Sequence, residues 1–327
     1  MSSPSATGEL AARQPWWHAL GRVPVVAWIL VGTAAVVVAA AAGNPIQVLN
    51  GLAFSMLLFL LAAGLTIIFG MMDFMNLAHG SFYMLGAYLA FTLVEQTKSF
   101  WLSMLIAPLA VGTLAYALDA AVLRRVHRRG HLDQVLLTFG LALIVADLVR
   151  WIWGGSILGV PVPDELRGAQ SLGFTIYPKY RLFVIAMGLV VGGVLWYGQT
   201  RTRIGAIVRA GVDDKEMVAG LGINITRVSS LVFAGGAALA GFAGVIAGPF
   251  LSLQPGMDFD TLIYSLIVVV VGGLGTLRGS FVAAILVGLA DTFGKVLVPE
   301  FSLMIIFAVM ALVLLTRPSG LFGRAHA

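Results

Sequence analysis

Long apolar runs separated by short polar breaks dominate this chain from residue 23 to its end. The runs are Val23–Ala42, Gln47–Gly70, Gly80–Val94, Phe100–Leu123, Gln134–Trp153, Leu182–Gly198, Val228–Phe250, Thr261–Gly272, Ser280–Val296 and Ser302–Thr316. A membrane-spanning helix needs about 20 mainly apolar residues. Five of the ten runs reach that length and several are short, notably Gly80–Val94 and Thr261–Gly272. Short or glycine-interrupted segments mark helices broken inside transport proteins. The pattern predicts an all-α polytopic transmembrane bundle of about 8–10 spans, with short or broken helices and pseudo-symmetric halves. The halves rest on an echo between "HGSFYMLGAYLA" (79–90) and "RGSFVAAILVGLA" (278–290). Two apolar helices could also share that pattern by chance.

The expected organisation is a polar tail over 1–22, one transmembrane domain over 23–316 and a second tail over 317–327. A loop at 199–227 lies on the side of the termini, and one at 154–181 lies on the other. The Val23–Ala42 run exceeds the 7–15 residues, roughly, of a signal-peptide core and reads as an uncleaved anchor.

Composition turns this pattern into a statement about solvent. The chain is 59% hydrophobic and 11% charged, with a mean hydropathy of +0.97. That is too little charge to cover a water-soluble domain of 327 residues. There is no cysteine, which excludes disulfides and thiolate metal sites. The net charge of +5 does not point to nucleic acid, because the basic residues sit in the breaks between apolar runs. Fourteen of the 20 Lys and Arg fall on the side of the two termini and six on the other. That bias places both termini in the cytoplasm.

Three stretches carry candidate chemistry. In "GMMDFMNLAHG" (70–80), Asp73, Asn76, His79 and Gly80 interrupt two apolar runs. A cytoplasmic turn capped by Asp73 and Asn76 accounts for them. So does a break inside the membrane whose freed backbone lines a route. In "RTRIGAIVRAGVDDKEMVAGLGINITR" (201–227), Asp213 can cap a short helix with Glu216 completing a capping box. Met217, Val218 and Leu221 give it an apolar face, Gly220 and Gly222 can end it, and Asn224 or Thr226 can cap the next span. Such a helix either lies on the membrane or plugs into a partner's groove. In "GGLGTLRGS" (272–280), Gly272, Gly273 and Gly275 serve either close packing or a broken helix facing Asp73. No Gly-Lys-Ser/Thr occurs, so the chain shows no nucleotide site of its own.

Elsewhere, "FAGGAALAGFAGVIAGP" (233–249) reads as a close-packing face. Asp147 and Arg150, and Asp291 and Lys295, have the spacing of helical ion pairs, and Asp119 and Arg124 lie at an interface. The histidines show no metal spacing, and nothing resembles a nucleophile with its base.

From about Gln47 to Gly323 the residues resemble the permease subunits of ABC importers for branched-chain amino acids. The resemblance rests on five ordered motifs: "GLTIIFGMMDFMNLAHGSFYMLGAY" (64–88), "LVRWIWGG" (148–155), the 201–224 stretch, "GGLGTLRGSFVAA" (272–284) and "TRPSGLFG" (316–323). It implies a non-catalytic subunit of a bacterial inner-membrane importer. Two permease subunits, a non-identical pair or two copies of this chain, would form the pathway. Two cytoplasmic ATPases would hold ATP and Mg, and an extracytoplasmic binding protein would deliver the solute. Asp213, Asp214, Glu216, Met217, Gly220, Leu221 and Gly222 would form the coupling helix on an ATPase. Asp73, Asn76, His79 and Gly80, with Gly272, Gly273 and Gly275, would lie near the gate. This chain would bind no cofactor. Relatives in that family carry urea, short amides or other amino acids, so the solute stays open. An ion-coupled secondary transporter, or a scaffold that only recruits a partner, are the other readings of the residues.

Overall fold

The computed structural model describes residues 45–126, 130–173 and 175–323, apart from the Asp213 side chain. The Val23–Ala42 run and the tail over 1–22 lie outside the described residues. Eleven helices follow in order: α1 (Pro45–Met72), α2 (His79–Thr97), α3 (Phe100–Leu118), α4 (His131–Trp153), α5 (Lys179–Arg201), α6 (Arg203–Asp213), α7 (Lys215–Gly220), α8 (Ile225–Ala247), α9 (Met257–Gly272), α10 (Leu277–Leu297) and α11 (Ser302–Thr316). The bundle is all-α, and every apolar run from Gln47 onward corresponds to one of its helices. Among the described residues seven helical stretches are long and apolar enough to cross a membrane. The helix α2, with 19 residues, is not among them, and neither is α9, with 16. At 1.5 Å per residue α9 is about 24 Å long, short of a hydrocarbon core of about 30 Å.

The helix α1 forms the axis of the bundle. It is apolar on every side and packs against α5, α8, α9 and α10. Its two buried hydroxyls return to carbonyls four residues back, Ser55 to Gly51 and Thr66 to Ala62, both at 2.7 Å. No polar group is thereby stranded in the apolar interior. Thr66 also meets Ser280 of α10 at 2.6 Å. By contrast, α4, α5 and α11 turn most of their surface outward.

The small residues of α8 do what close packing requires. A methyl group at Gly86 of α2 would collide with the Gly241 carbonyl, and one at Gly64 of α1 with the Gly236 carbonyl. Backbones can approach this closely only where both partners lack a side chain.

The two ends of the bundle differ. One, here the basic end, carries α6, α7 and the turns after α1, α3 and α9. There α3 continues through a π-helical turn, Asp119–Leu123, into Arg124–Val126. The turn brings Asp119 inside, where it is fully buried, pairs with Arg124 at 3.2 Å and accepts a hydrogen bond from Ser230 of α8. Asp119 is therefore part of a buried network at the basic end. The far end is covered by residues 154–178. They hold a 3-10 turn at Asp164–Leu166 and a hairpin of β1 (Ala169–Ser171) and β2 (Ile176–Pro178), which pair antiparallel. Leu158 pairs with Leu253, which ties this cap to the α8–α9 connection.

Of the two expected helical ion pairs, Lys295–Asp291 forms at 2.6 Å, and Asp291 also accepts from the Tyr264 hydroxyl at 2.9 Å. Asp147 and Arg150 do not pair. Both are exposed on α4, and among the described residues neither has a polar partner.

Candidate functional site

The break after α1 enters the bundle. The helix ends at the basic end, where Asp73 takes a left-handed φ of 51° and its amide closes the last turn on Phe69. The next helix does not begin at that level. His79, its first residue, is fully buried with Nε2 3.0 Å from the Leu61 carbonyl oxygen. Leu61 lies 11 residues back along α1 from Met72, about 16 Å at 1.5 Å per residue. Residues 73–78 therefore climb from the basic end to the middle of the bundle, and the turn confined to the surface is not what forms. Such backbone is tolerated at depth because protein surrounds it. The Asn76 carboxamide caps the Ala78 amide at 3.1 Å, and the Leu77 amide donates to Thr138 of α4 at 3.2 Å. His79 Nδ1 and Asn76 Nδ2 are buried with no partner.

A second helix start meets the first. Ser81 donates to the Asp258 carboxylate at 3.1 Å, so the opening turns of α2 and α9 join near mid-depth. Gly80 permits the contact, since a side chain there would strike the Asp258 carbonyl. Asp258 is buried and its Oδ1 has no partner. Sequence reasoning missed Asp258, Ser81 and Thr138. Asp258 stands just before the apolar run Thr261–Gly272, and the acidic start of α9, "MDFD", is the available signal.

At the basic end the stretch after α5 folds into two helices where sequence expected one. The amphipathic α6 covers Arg203–Asp213, started by the Thr202 hydroxyl accepting from the Gly205 amide at 3.0 Å. The cap of α7 is Asp214 and not Asp213. The Asp213 backbone still belongs to α6, and the Asp214 amide makes its last bond, to Ala210. Asp214 then turns extended, at φ −155°, and its carboxylate accepts from the Glu216 and Met217 amides at 2.9 Å each. The third helical position is thus Met217, so Glu216 completes no capping box. Gly220 is the last residue of α7, Gly222 with φ 82° ends the turn, and Asn224 caps α8.

The apolar face expected on α7 divides. Val218 points into the protein at 2% exposure, whereas Met217 and Leu221 are 67% and 75% exposed. On the inner side Lys215 Nζ donates to the Met72 carbonyl at 3.2 Å. Asp73, one residue on, has its carboxylate 3.9 Å from His131 Nε2 at the start of α4. The short helix thus touches the end of α1 just before the re-entrant segment. Sequence reasoning gave Lys215 no role, since nothing local distinguishes it from any surface lysine.

Gly272, Gly273 and Gly275 join this assembly through backbone contacts. Gly273 and Gly275 take φ of 101° and 75°, values that favour glycine, and Gly275 lies directly on Gly70 of α1. The motif over 316–323 returns here. The amides of Leu321 and Phe322 donate to the Val271 and Gly272 carbonyls at 2.8 and 3.0 Å, which satisfies the end of α9. Of the two alternatives for "GGLGTLRGS", the tight packing is present, and the glycines form a turn between the separate helices α9 and α10 beside the end of α1.

The site thus has a mid-depth junction of two helix starts, a chain segment leading to it from the basic end, and a short surface helix resting on that segment's root. Among the described residues no cluster of His, Asp and Glu is arranged to hold a metal. The arrangement sets a surface helix in contact with the root of a buried break.

Residues 47–314 match the family model described as the permease component of branched-chain amino acid transport systems. The chain belongs to this family. It is similar to the high-affinity branched-chain amino acid transport permease protein BraD of Pseudomonas aeruginosa, with 28% identity over 85% of this chain and 95% of that protein. Its similarity to LivH of Escherichia coli K12 is 27% over 85% of this chain and 95% of LivH. To LivM of the same organism it is 27% over 82% of this chain and 68% of LivM. No solved structure matches the chain. The permease is a multi-pass membrane protein, as its apolar helices and its family both require.

Proposed function

We propose that this permease forms one half of the route by which an ABC importer brings branched-chain or other hydrophobic amino acids into a bacterial cell. The relatives are branched-chain amino acid permeases, which supports the solute class. The single observation that carries the mechanism is the placement of α7, with Met217 and Leu221 bare on its outer side and Lys215 on the Met72 carbonyl. The outer side fits a groove on an ATPase. The inner side touches the root of the 73–78 segment. Closure of an ATPase pair around ATP and Mg would push α7 and thereby shift the segment that carries Asp73, Asn76, His79 and Gly80. In this reading the chain performs no chemistry and binds no cofactor. It works with a second permease subunit, two ATPases and an extracytoplasmic binding protein. The basic end, with its excess of Lys and Arg, faces the cytoplasm, and the protein resides in the inner membrane.

The test is affinity purification of the chain in mild detergent, followed by identification of what accompanies it and an ATPase assay. ATPase subunits that co-purify with the parent and are lost from Glu216→Arg/Gly220→Leu support the reading. A lone, inserted chain without ATPase activity contradicts it.

A further inference from the structure

The permease carries two unpaired carboxylates on the outside of its membrane-embedded body. Asp260 and Asp147 are both exposed, and among the described residues neither has a hydrogen bond or ion pair. Asp260 lies 12 residues from the end of α9 at Gly272, about 18 Å in from the basic end at 1.5 Å per residue. Its neighbour Asp258 bonds Ser81, which is 16 residues short of Thr97 at the far end of α2, about 24 Å. The two helices thus measure Asp260 from both ends and place it near mid-depth. A charged group there does not face hydrocarbon.

The surroundings are continuous. The Phe139 and Phe259 rings meet edge to face at 6.0 Å, which joins the outer faces of α4 and α9. Along α4, Phe139, Leu143 and Asp147 follow at intervals of four residues and share one exposed stripe. By the same rise Asp147, Leu143 and Phe139 lie about 24, 18 and 12 Å from the start of α4 at the basic end, so the face presents Asp147 about one turn nearer the far end than Asp260 and Leu143, with the aromatic pair beside and below them. The exposed face of α3 over Phe100–Leu118 holds no charged residue and suits lipid.

We propose that the α4–α9 face lines the solute route, opposite the second permease subunit, with Asp260 as the residue that receives the α-ammonium group of the amino acid. The aromatic pair Phe139 and Phe259, with Leu143, offers apolar surface to the solute's side chain. Asp147 attracts the cation as it enters from the far end. This rests on the importer reading above and adds the polarity of its route: two carboxylates draw an ammonium, and a free carboxylic acid lacking that group is not carried.

The absence of cysteine from the chain makes the test direct. Asp260→Cys, Leu143→Cys and Leu109→Cys, the last on the lipid-suited face of α3, are each assembled with the ATPases and treated with a membrane-impermeant cationic thiol reagent. The proposal expects Asp260→Cys and Leu143→Cys to react at least tenfold faster than Leu109→Cys, with leucine-loaded binding protein slowing both. Reaction at the rate of Leu109→Cys overturns it. Leucine uptake then separates charge from shape: Asp260→Glu retains most uptake, and Asp260→Asn loses at least tenfold while ATPase subunits still co-purify. Uptake by Asp260→Asn within twofold of the parent overturns the ammonium role. Should the parent itself neither take up leucine nor bind an ATPase, the importer reading fails, while labelling still reports whether this face meets water.

Discussion

Lys215 Nζ donates to the Met72 carbonyl oxygen at 3.2 Å, across 143 residues of chain. The bond joins the first residue of α7 to the last residue of α1. Met72 is followed at once by Asp73 in its left-handed conformation, so a displacement of α7 acts on the point where the chain leaves the helix and turns inward. Lys215→Ala should therefore lower solute uptake at least severalfold while ATPase subunits still co-purify. Uptake and co-purification measured on one preparation check this.

The two faces of α7 predict opposite consequences of the same substitution. Met217→Asp combined with Leu221→Asp places charge on exposed positions and should release the ATPases without lowering thermal stability. Val218→Asp places a carboxylate where the protein is closed at 2% exposure, and an unpaired buried charge costs several kcal/mol, roughly 3–5 where a pair is broken. That variant should fail to yield folded protein, as size-exclusion profiles in detergent would show.

Much of this was legible in the sequence, for identifiable reasons. In lipid each helix must satisfy its own backbone, so a span is announced by its own composition. The runs from Gln47 onward accordingly became helices within a few residues. The site was legible only in part. Asp73, Asn76, His79 and the three turn glycines stand out because polar or glycine residues are conspicuous in apolar sequence. Gly80 and Ser81 meet Asp258 more than 170 positions away, and Gly272 meets Phe322 50 positions away, and no local pattern encodes either contact. The cap of α7 was misplaced by one residue because adjacent aspartates at 213 and 214 are equally good caps. The choice was made by α6, whose last turn claims Asp213. The Asp147–Arg150 spacing suits a pair, yet spacing fixes only which face two residues share and not whether their side chains meet.

The packing of α2 on α8 predicts intolerance of small changes. Gly86→Ala and Gly244→Ala each insert one methyl group between backbones in contact. Overpacking typically costs about 1–3 kcal/mol, and the backbone here has no side chain to move aside. Both variants should melt well below the parent in detergent, whereas Gly193→Ala, with open space around it, should melt with the parent.

The buried network at Asp119 predicts a non-additive pair. Arg124 bridges Asp119 and Ser230, with its Nε 3.2 and 3.0 Å from their oxygens. Arg124→Met removes the cation beside a buried carboxylate and should destabilise more than Arg124→Met combined with Asp119→Asn. Thermal unfolding of the two singles and the double should give a coupling of about 0.5–3 kcal/mol.

In the importer proposed above, ATP hydrolysed by partner subunits drives an amino acid through this chain. The most direct test of this is leucine uptake into proteoliposomes that hold the permease, its partner subunits and the loaded binding protein. Uptake is expected to need ATP in the vesicle lumen, where the ATPases face, to survive collapse of every ion gradient, and to stop on Met217→Asp/Leu221→Asp. Uptake by the permease alone, driven by an ion gradient and indifferent to ATP, would contradict it.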